Sequence, residues 1–334
     1  MVEKKKVFIT GVTGFVGGNL MPYLKEHISF DMEGVVRDKK ADGLENLKSL
    51  FTWDELSAEL TPAHYIHLAG KAHDVKGVSN EQEYFDVNVG LTKRLFDHFV
   101  QNPESETFIF MSSVKAVSDS PDGVLTEDET PNPVTAYGRS KLKAEEYILE
   151  HCPPGKNVYI LRPCMIHGPG NKGNLNLLYK IISKGIPWPL GRFDNLRSFL
   201  SIENLCFIVH QILKGTVKPG VYHIADSEPL STHELIQFIA ESSGRKSRII
   251  NTPKGIIKFM AKLGNLLPLP LDEERLQKLT EDYVVSNRKL VEALGEELPV
   301  SEVDGMRRTI KAQGGPRSIP KASSGLEKTP AREH

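Results

Sequence analysis

The chain has 334 residues, enough for two domains or one large α/β unit with an ample core. Its net charge of -1 removes any global electrostatic argument for nucleic-acid binding. Cys152, Cys164 and Cys206 are few and lack metal-type spacing, so they read as reduced thiols of a cytoplasmic protein, with no metal expected. The charged start, Met1 to Lys6, runs straight into an apolar stretch without a signal-peptide pattern, and no apolar run approaches a membrane span.

Val7 to Thr10 reads as a buried strand. It meets Gly11, Gly14 and Gly17, and an apolar helix follows through Leu20, Met21 and Leu24. A strand, a glycine turn and a helix form the entry of a dinucleotide-binding fold. The glycines stand at i, i+3 and i+6 rather than in the G-x-G-x-x-G spacing, but the physics is shared. Missing side chains let the backbone approach a pyrophosphate, and the helix N-terminus offers free N–H groups. A second strand, Met32 to Val36, ends in Arg37-Asp38. Arginine there accommodates the 2′-phosphate of NADP and an acid takes the ribose hydroxyls of NAD. Both cofactors stay open.

Asp54 to Leu60 reads as a short helix and Tyr65 to Gly70 as a strand ending in small residues, which leave room for a ligand. His67 and His73 are read as structural. Glu81 to Val100 is expected to form one long helix, with Asn88 within it. Thr107 to Met111 is the next strand, closed by Ser112-Ser113, so these hydroxyls emerge at the same sheet edge as the glycine loop. The Tyr137 helix and a strand from Asn157 to Leu161 follow. Strands alternating with helices argue a doubly wound parallel sheet. Beyond His167 to Gly170 the pattern changes to short apolar runs, frequent Gly and Pro, and helices near 177–184, 204–214 and 232–243. The expected division is a nucleotide-binding unit over 1–168, a smaller mixed α/β substrate unit over 169–312, part of which could return to the sheet, and a disordered tail over 313–334.

Tyr137 and Lys141 lie four apart, on one helix face. A buried ammonium beside a phenol favours the phenolate, lowering the tyrosine pKa from ~10 toward the working range. Such a tyrosine can exchange a proton with a carbinol oxygen. Alone, the pair reads as a plain contact on a surface helix.

Taken together, Thr10-Gly11-x-x-Gly14-x-x-Gly17, His67-Leu68-Ala69, Asn88, Ser112-Ser113, Tyr137-x-x-x-Lys141 and Arg162-Pro163 resemble the extended short-chain dehydrogenases/reductases, the NAD(P)-dependent epimerase/dehydratase family. The resemblance runs from about Lys6 to Ile310. It implies that Ser113 holds the sugar oxygen, Tyr137 is the acid/base, and Lys141 tunes Tyr137 and binds the nicotinamide ribose. It implies cofactor contacts from Gly11, Thr13, Gly14, Phe15, Val16 and Gly17, from Arg37 and Asp38, and from Leu68, Ala69, Gly70, Asn88, Met111 and Pro163. Asn174, Leu175 and Arg197, with Arg275 as a further phosphate contact, are implied for a nucleotide diphosphate, whose oxygens match an arginine fork. Dehydratases of the family place Asp-Glu after the serine; Val114-Lys115 stands here, which argues against a 4,6-dehydratase. Many 4-epimerases carry Val-Tyr-Gly where Val117-Ser118-Asp119 occurs. The chain is similar to bacterial UDP-N-acetyl-4-keto-6-deoxyhexosamine 4-reductases of surface-polysaccharide synthesis. A UDP-sugar 4-epimerase using the same residues is the alternative, and a non-catalytic NAD(P)-binding regulator a remote one. A UDP-sugar substrate and a homodimer through helices 81–100 and 137–150 are implied. Lys115 is read either as approaching the substrate or as a solvated loop lysine.

Overall fold

The computed structural model describes residues 4–40, 43–72, 80–171, 175–266 and 272–314. Strands β1 (Lys6–Thr10), β2 (Asp31–Val36), β3 (Ser49–Thr52), β4 (His64–His67), β5 (Thr107–Met111), β7 (Asn157–Pro163) and β11 (Gly220–Ile224) form one sheet. Their order is β11-β7-β5-β4-β1-β2-β3, with every neighbour parallel. The chain runs outward from β1 through β2 to β3, then crosses back to β4 on the other side. The order therefore reverses between β1 and β4, the point where open parallel sheets bind ligands.

Alternation along the strands explains the layers. Val7 and Ile9 face helices α1 (Phe15–His27) and α6 (Ile202–Leu213), packing with Leu20, Leu24, Leu205 and Val209. Phe8 faces the other way, with Tyr65, Phe108 and Phe110, against Phe96 and Phe99 of α3 (Leu91–Gln101) and Ile148 of α4 (Ala136–His151). Both sheet faces are apolar and covered, as a parallel sheet requires.

The helix expected over 81–100 is interrupted. It comprises α2 (Glu81–Phe85), a π-helical turn (Asp86–Gly90) and α3. Asn88 lies in the turn, and its side-chain bonds to Lys71 and Ser140 explain the widened winding there. The helix expected at 54–60 is only a 3-10 turn, Trp53–Glu55. Short strand β6 (Val124–Leu125) pairs with β13 (Val284–Val285).

A second core joins α5 (Leu175–Ile182), α7 (Thr232–Ser242), α8 (Lys254–Leu266), α9 (Glu273–Thr280) and α11 (Glu302–Gly314), through Leu175, Leu235, Ile239, Ile257, Leu276 and Ile310. Two-stranded ladders complete this lobe: β8 (Met165–His167) with β10 (Phe199–Ser201), and β9 (Leu196–Arg197) with β12 (Leu230–Ser231). Helix α10 (Arg288–Leu294) ends on Gly295 in the left-handed region.

Candidate active site

The glycine loop sits at the reversal point. Gly11 has φ +71°, and a Cβ there would stand 2.7 Å from both Ala69 N and Leu68 C beyond β4. A Cβ on Gly17 would stand 2.5 Å from Gly11 O. These residues must be glycine for β1, its turn and α1 to close on one another. Gly14 caps α1 without a side-chain bond, and the first turn holds no acid, so its positive end is bare of carboxylates. Thr13 is exposed; Phe15 and Val16 pack partly on the first core. Arg37 and Asp38 are both exposed beyond β2, where Asp38 accepts a bond from Lys40 N (2.9 Å).

His67 is buried and neutral, its pKa pushed down to about 3 by burial and then by Lys141. Its ring lies 2.7 Å from Thr10 Oγ1 and 2.9 Å from Thr92 Oγ1. Thr92 donates to Asn88 O, so it accepts from His67 Nε2–H; Thr10, which accepts Ala69 N–H, then donates to Nδ1. This chain of bonds fastens the glycine-loop strand to the π turn, which is a structural role, as read from the sequence. His73 lies outside the described residues.

Asn88 is fully buried, accepting from Lys71 N (2.7 Å) and donating to Lys71 O (3.0 Å) and Ser140 Oγ (2.9 Å). It thereby ties the loop after β4 to α4. A Cβ on Gly70 would meet Asn88 Oδ1 at 3.0 Å and Lys141 Nζ at 3.1 Å, which places Lys141 beside that loop.

Helix α4 is aimed by its N-terminus. Thr135 accepts Gly138 N–H (3.1 Å), and Asp119 accepts from Val134 N, Thr135 N and Thr135 Oγ1, each at 2.9 Å. A Cβ on Gly138 would stand 2.3 Å from Lys115 O, so glycine lets the helix press on the turn after Ser113. Tyr137 is thus brought beside Ser113, close enough for the serine hydroxyl to act on the phenol. Ser113 Oγ accepts Lys115 N–H (3.2 Å), which leaves its own hydrogen to donate.

Lys141 is buried, donates to Met111 O (2.8 Å) and lies 4.9 Å from the Phe110 ring centre. Burial lowers its pKa to about 8, opposed by Glu145. Tyr137 keeps partial solvent contact, yet burial raises its pKa; the Ser113 hydroxyl opposes this and Tyr84 adds to it. The lowered phenol expected from the Tyr137–Lys141 spacing is therefore not what the fold produces. The ammonium bonds Met111 O, and the phenol is held protonated.

The sequence reading missed the support beneath this group. Glu145, one turn after Lys141, accepts from Arg162 Nε (3.0 and 3.1 Å) and Nη2 (2.5 Å) and from Ser112 Oγ. It locks α4 to β5 and β7. The signal was available: Tyr137, Lys141 and Glu145 recur every four residues along one face. Tyr84 was also missed; its ring lies edge-on to Tyr137, centres 6.4 Å apart.

Elsewhere the predicted residues spread out. Pro163 closes β7 and is buried. Arg197 is half-buried in the second lobe and donates to Glu281 O (3.2 Å). It bridges to Tyr283, whose hydroxyl bonds Ser118 O (2.6 Å) and whose ring lies 5.6 Å from Lys115 Nζ. Lys115 also pairs with Asp119 (3.3 Å), so it is neither free in solvent nor unattached to the α4 anchor. Leu175 is buried in the second core, and Arg275 is exposed beside Asp272 (3.3 Å). Asn174 lies outside the described residues. Asn204 is buried, bonding Asp226 (2.7 Å) and both backbone groups of Val300.

The model of the NAD dependent epimerase/dehydratase family matches residues 7–225. The chain belongs to this family. A Vibrio cholerae UDP-glucose 4-epimerase is 30% identical over 332 residues, 92% of this chain and 95% of the relative. A Pseudomonas aeruginosa GDP-6-deoxy-D-mannose reductase is 25% identical over 261 residues, 75% and 84%. The Bordetella bronchiseptica enzyme WbmG, solved in complex with NAD, shares the fold with TM-score 0.72 at 16% identity, over 93% and 94% of the two chains. The family's members include both epimerases and sugar reductases, and the chain is an enzyme of this family.

Proposed function

We propose that the chain is an NAD(P)-dependent oxidoreductase acting at C4 of a UDP-linked sugar. In this reading it reduces the ketone of a UDP-4-keto-6-deoxyhexosamine for surface-polysaccharide synthesis. The observation that carries the reading is the placement of Tyr137 beside Ser113 and of buried Lys141 on the same helix, at the sheet edge that also holds the glycine loop.

The glycine loop fits a dinucleotide, because a Cβ at Gly11 or Gly17 would collide with backbone and α1 presents its bare N-terminus. Gly11, Thr13, Gly14, Phe15, Val16 and Gly17 would hold the pyrophosphate. Arg37 and Asp38 would meet the adenosine ribose. Leu68, Ala69, Gly70, Asn88, Met111 and Pro163 would flank the nicotinamide side, with Lys141 at its ribose. When bound, the reduced cofactor supplies a hydride.

Tyr137, held protonated, gives its proton to the C4 oxygen as the ketone becomes a carbinol. Ser113 donates a hydrogen bond to that oxygen. General acid catalysis of this kind contributes about 10²–10⁴-fold. Lys141 is a cation below about pH 8, and its ammonium, held on Met111 O, would meet the nicotinamide ribose. Arg197 would pair with the diphosphate.

A 4-epimerase is the second reading, supported by the name of the Vibrio cholerae relative. Sustained NADPH or NADH consumption with a UDP-4-keto sugar is expected for the reductase. Interconversion of UDP-sugars without net cofactor use would overturn it in favour of the epimerase.

A further inference from the structure

The second lobe carries a surface that chemistry at C4 does not use. Ser242 to Leu266 holds six basic residues and neither Asp nor Glu, in a chain of net charge -1. The acid just before it, Glu241, is engaged by Arg307 of α11 (3.6 Å). Lys254 lies 5.1 Å from the Phe193 ring centre.

Helix α8 has two apolar strips where a surface helix has one. Ile257 and Ala261, 2% and 0% exposed, seat it on the second core. Ile256, Phe259 and Met260, spaced i, i+3 and i+4, are 52%, 62% and 48% exposed. Lys254, Lys258 and Lys262 recur every four residues and form a separate strip along the same helix.

We propose that α8 is an interfacial helix that docks this protein on an anionic lipid bilayer. Phe259 and its neighbours enter the headgroup boundary, and the lysines meet lipid phosphates. Stable attachment of this kind needs both signals, apolar area and positive charge, and α8 supplies both. The charge also selects among occupants. A second copy docking on this strip would bring the same lysines together, and their repulsion opposes it.

The test is flotation of the full chain with phosphatidylcholine vesicles, with and without phosphatidylglycerol. Binding is expected only with phosphatidylglycerol, and it should weaken as salt rises. Lys258→Gln and Lys262→Gln should each reduce binding about fivefold, the equivalent of about 1 kcal/mol. The triple variant Ile256→Ser, Phe259→Ser, Met260→Ser should abolish it with circular dichroism and Tm unchanged. Absence of binding to the anionic vesicles would overturn the proposal, as would equal binding by the folded triple variant. A concentration-dependent dimer that this variant loses, without vesicle binding, would assign the strip to a second copy instead.

Discussion

Glu145 of the Tyr137 helix and Arg162 of β7 form an ion pair whose side chains are 1% and 8% exposed. Ser112 donates to the same carboxylate, so one group ties together β5, β7 and α4. A buried pair is costly to break, because the remaining charge stays desolvated, at about 3–5 kcal/mol. Its second effect is electrostatic: the Glu145 charge holds up the Lys141 pKa against burial.

Glu145→Gln is therefore expected to lower Tm and to move the alkaline limb of the pH–rate profile below about 8. A structural role alone would lower Tm and leave that limb in place. Thermal melts and pH–rate profiles of the folded variant separate the two.

Lys141→Met is expected to abolish turnover without lowering Tm. The folded-state pKa of Lys141, about 8, lies below the ordinary 10.5. The unfolded chain thus binds the extra proton more readily, and the buried ammonium destabilises the fold at neutral pH. That cost is fully present below about pH 8 and is relieved as pH rises toward 10.5. One pKa unit is worth about 1.4 kcal/mol, so an apolar replacement gains more than it loses at Met111 O. A large fall in Tm would show that the Lys141 bond is chiefly structural.

Acid should destabilise the protein before its carboxylates titrate. His64, His67 and His223 are buried, with pKa values lowered to about 4, 3 and 4, chiefly by burial. Their unfolded value is about 6.5. The folded state binds fewer protons, so the full stability is present above pH 6.5 and is lost below it. Each histidine contributes about 1.4 kcal/mol per pH unit in that window. Thermal melts between pH 7 and 5 should show a progressive fall; a constant Tm across that range would contradict the burial of neutral histidines.

Much of this was legible in the sequence. The apolar runs at Val7, Tyr65 and Thr107 give parallel strands because both sheet faces are covered, and the glycine spacing gives the turn at the β1–β4 reversal. The grouping of Ser113, Tyr137 and Lys141 follows from strand and helix ends meeting at one edge. Other features depend on contacts that no local pattern encodes. The π turn at 86–90 follows from Asn88 reaching Lys71 and Ser140, 17 and 52 residues away. β3 is a half-buried edge of four residues with no alternation to announce it. The Tyr137 pKa runs opposite to its spacing argument because burial of the phenol raises it.

The most direct test of the central claim is the turnover of Tyr137→Phe with a UDP-4-keto sugar and NADPH or NADH, alongside its cofactor affinity and Tm. Loss of the phenol proton should depress kcat by about 10²–10⁴-fold with cofactor binding and fold retained. Near wild-type kcat in that variant would contradict the assignment of Tyr137 as the proton donor.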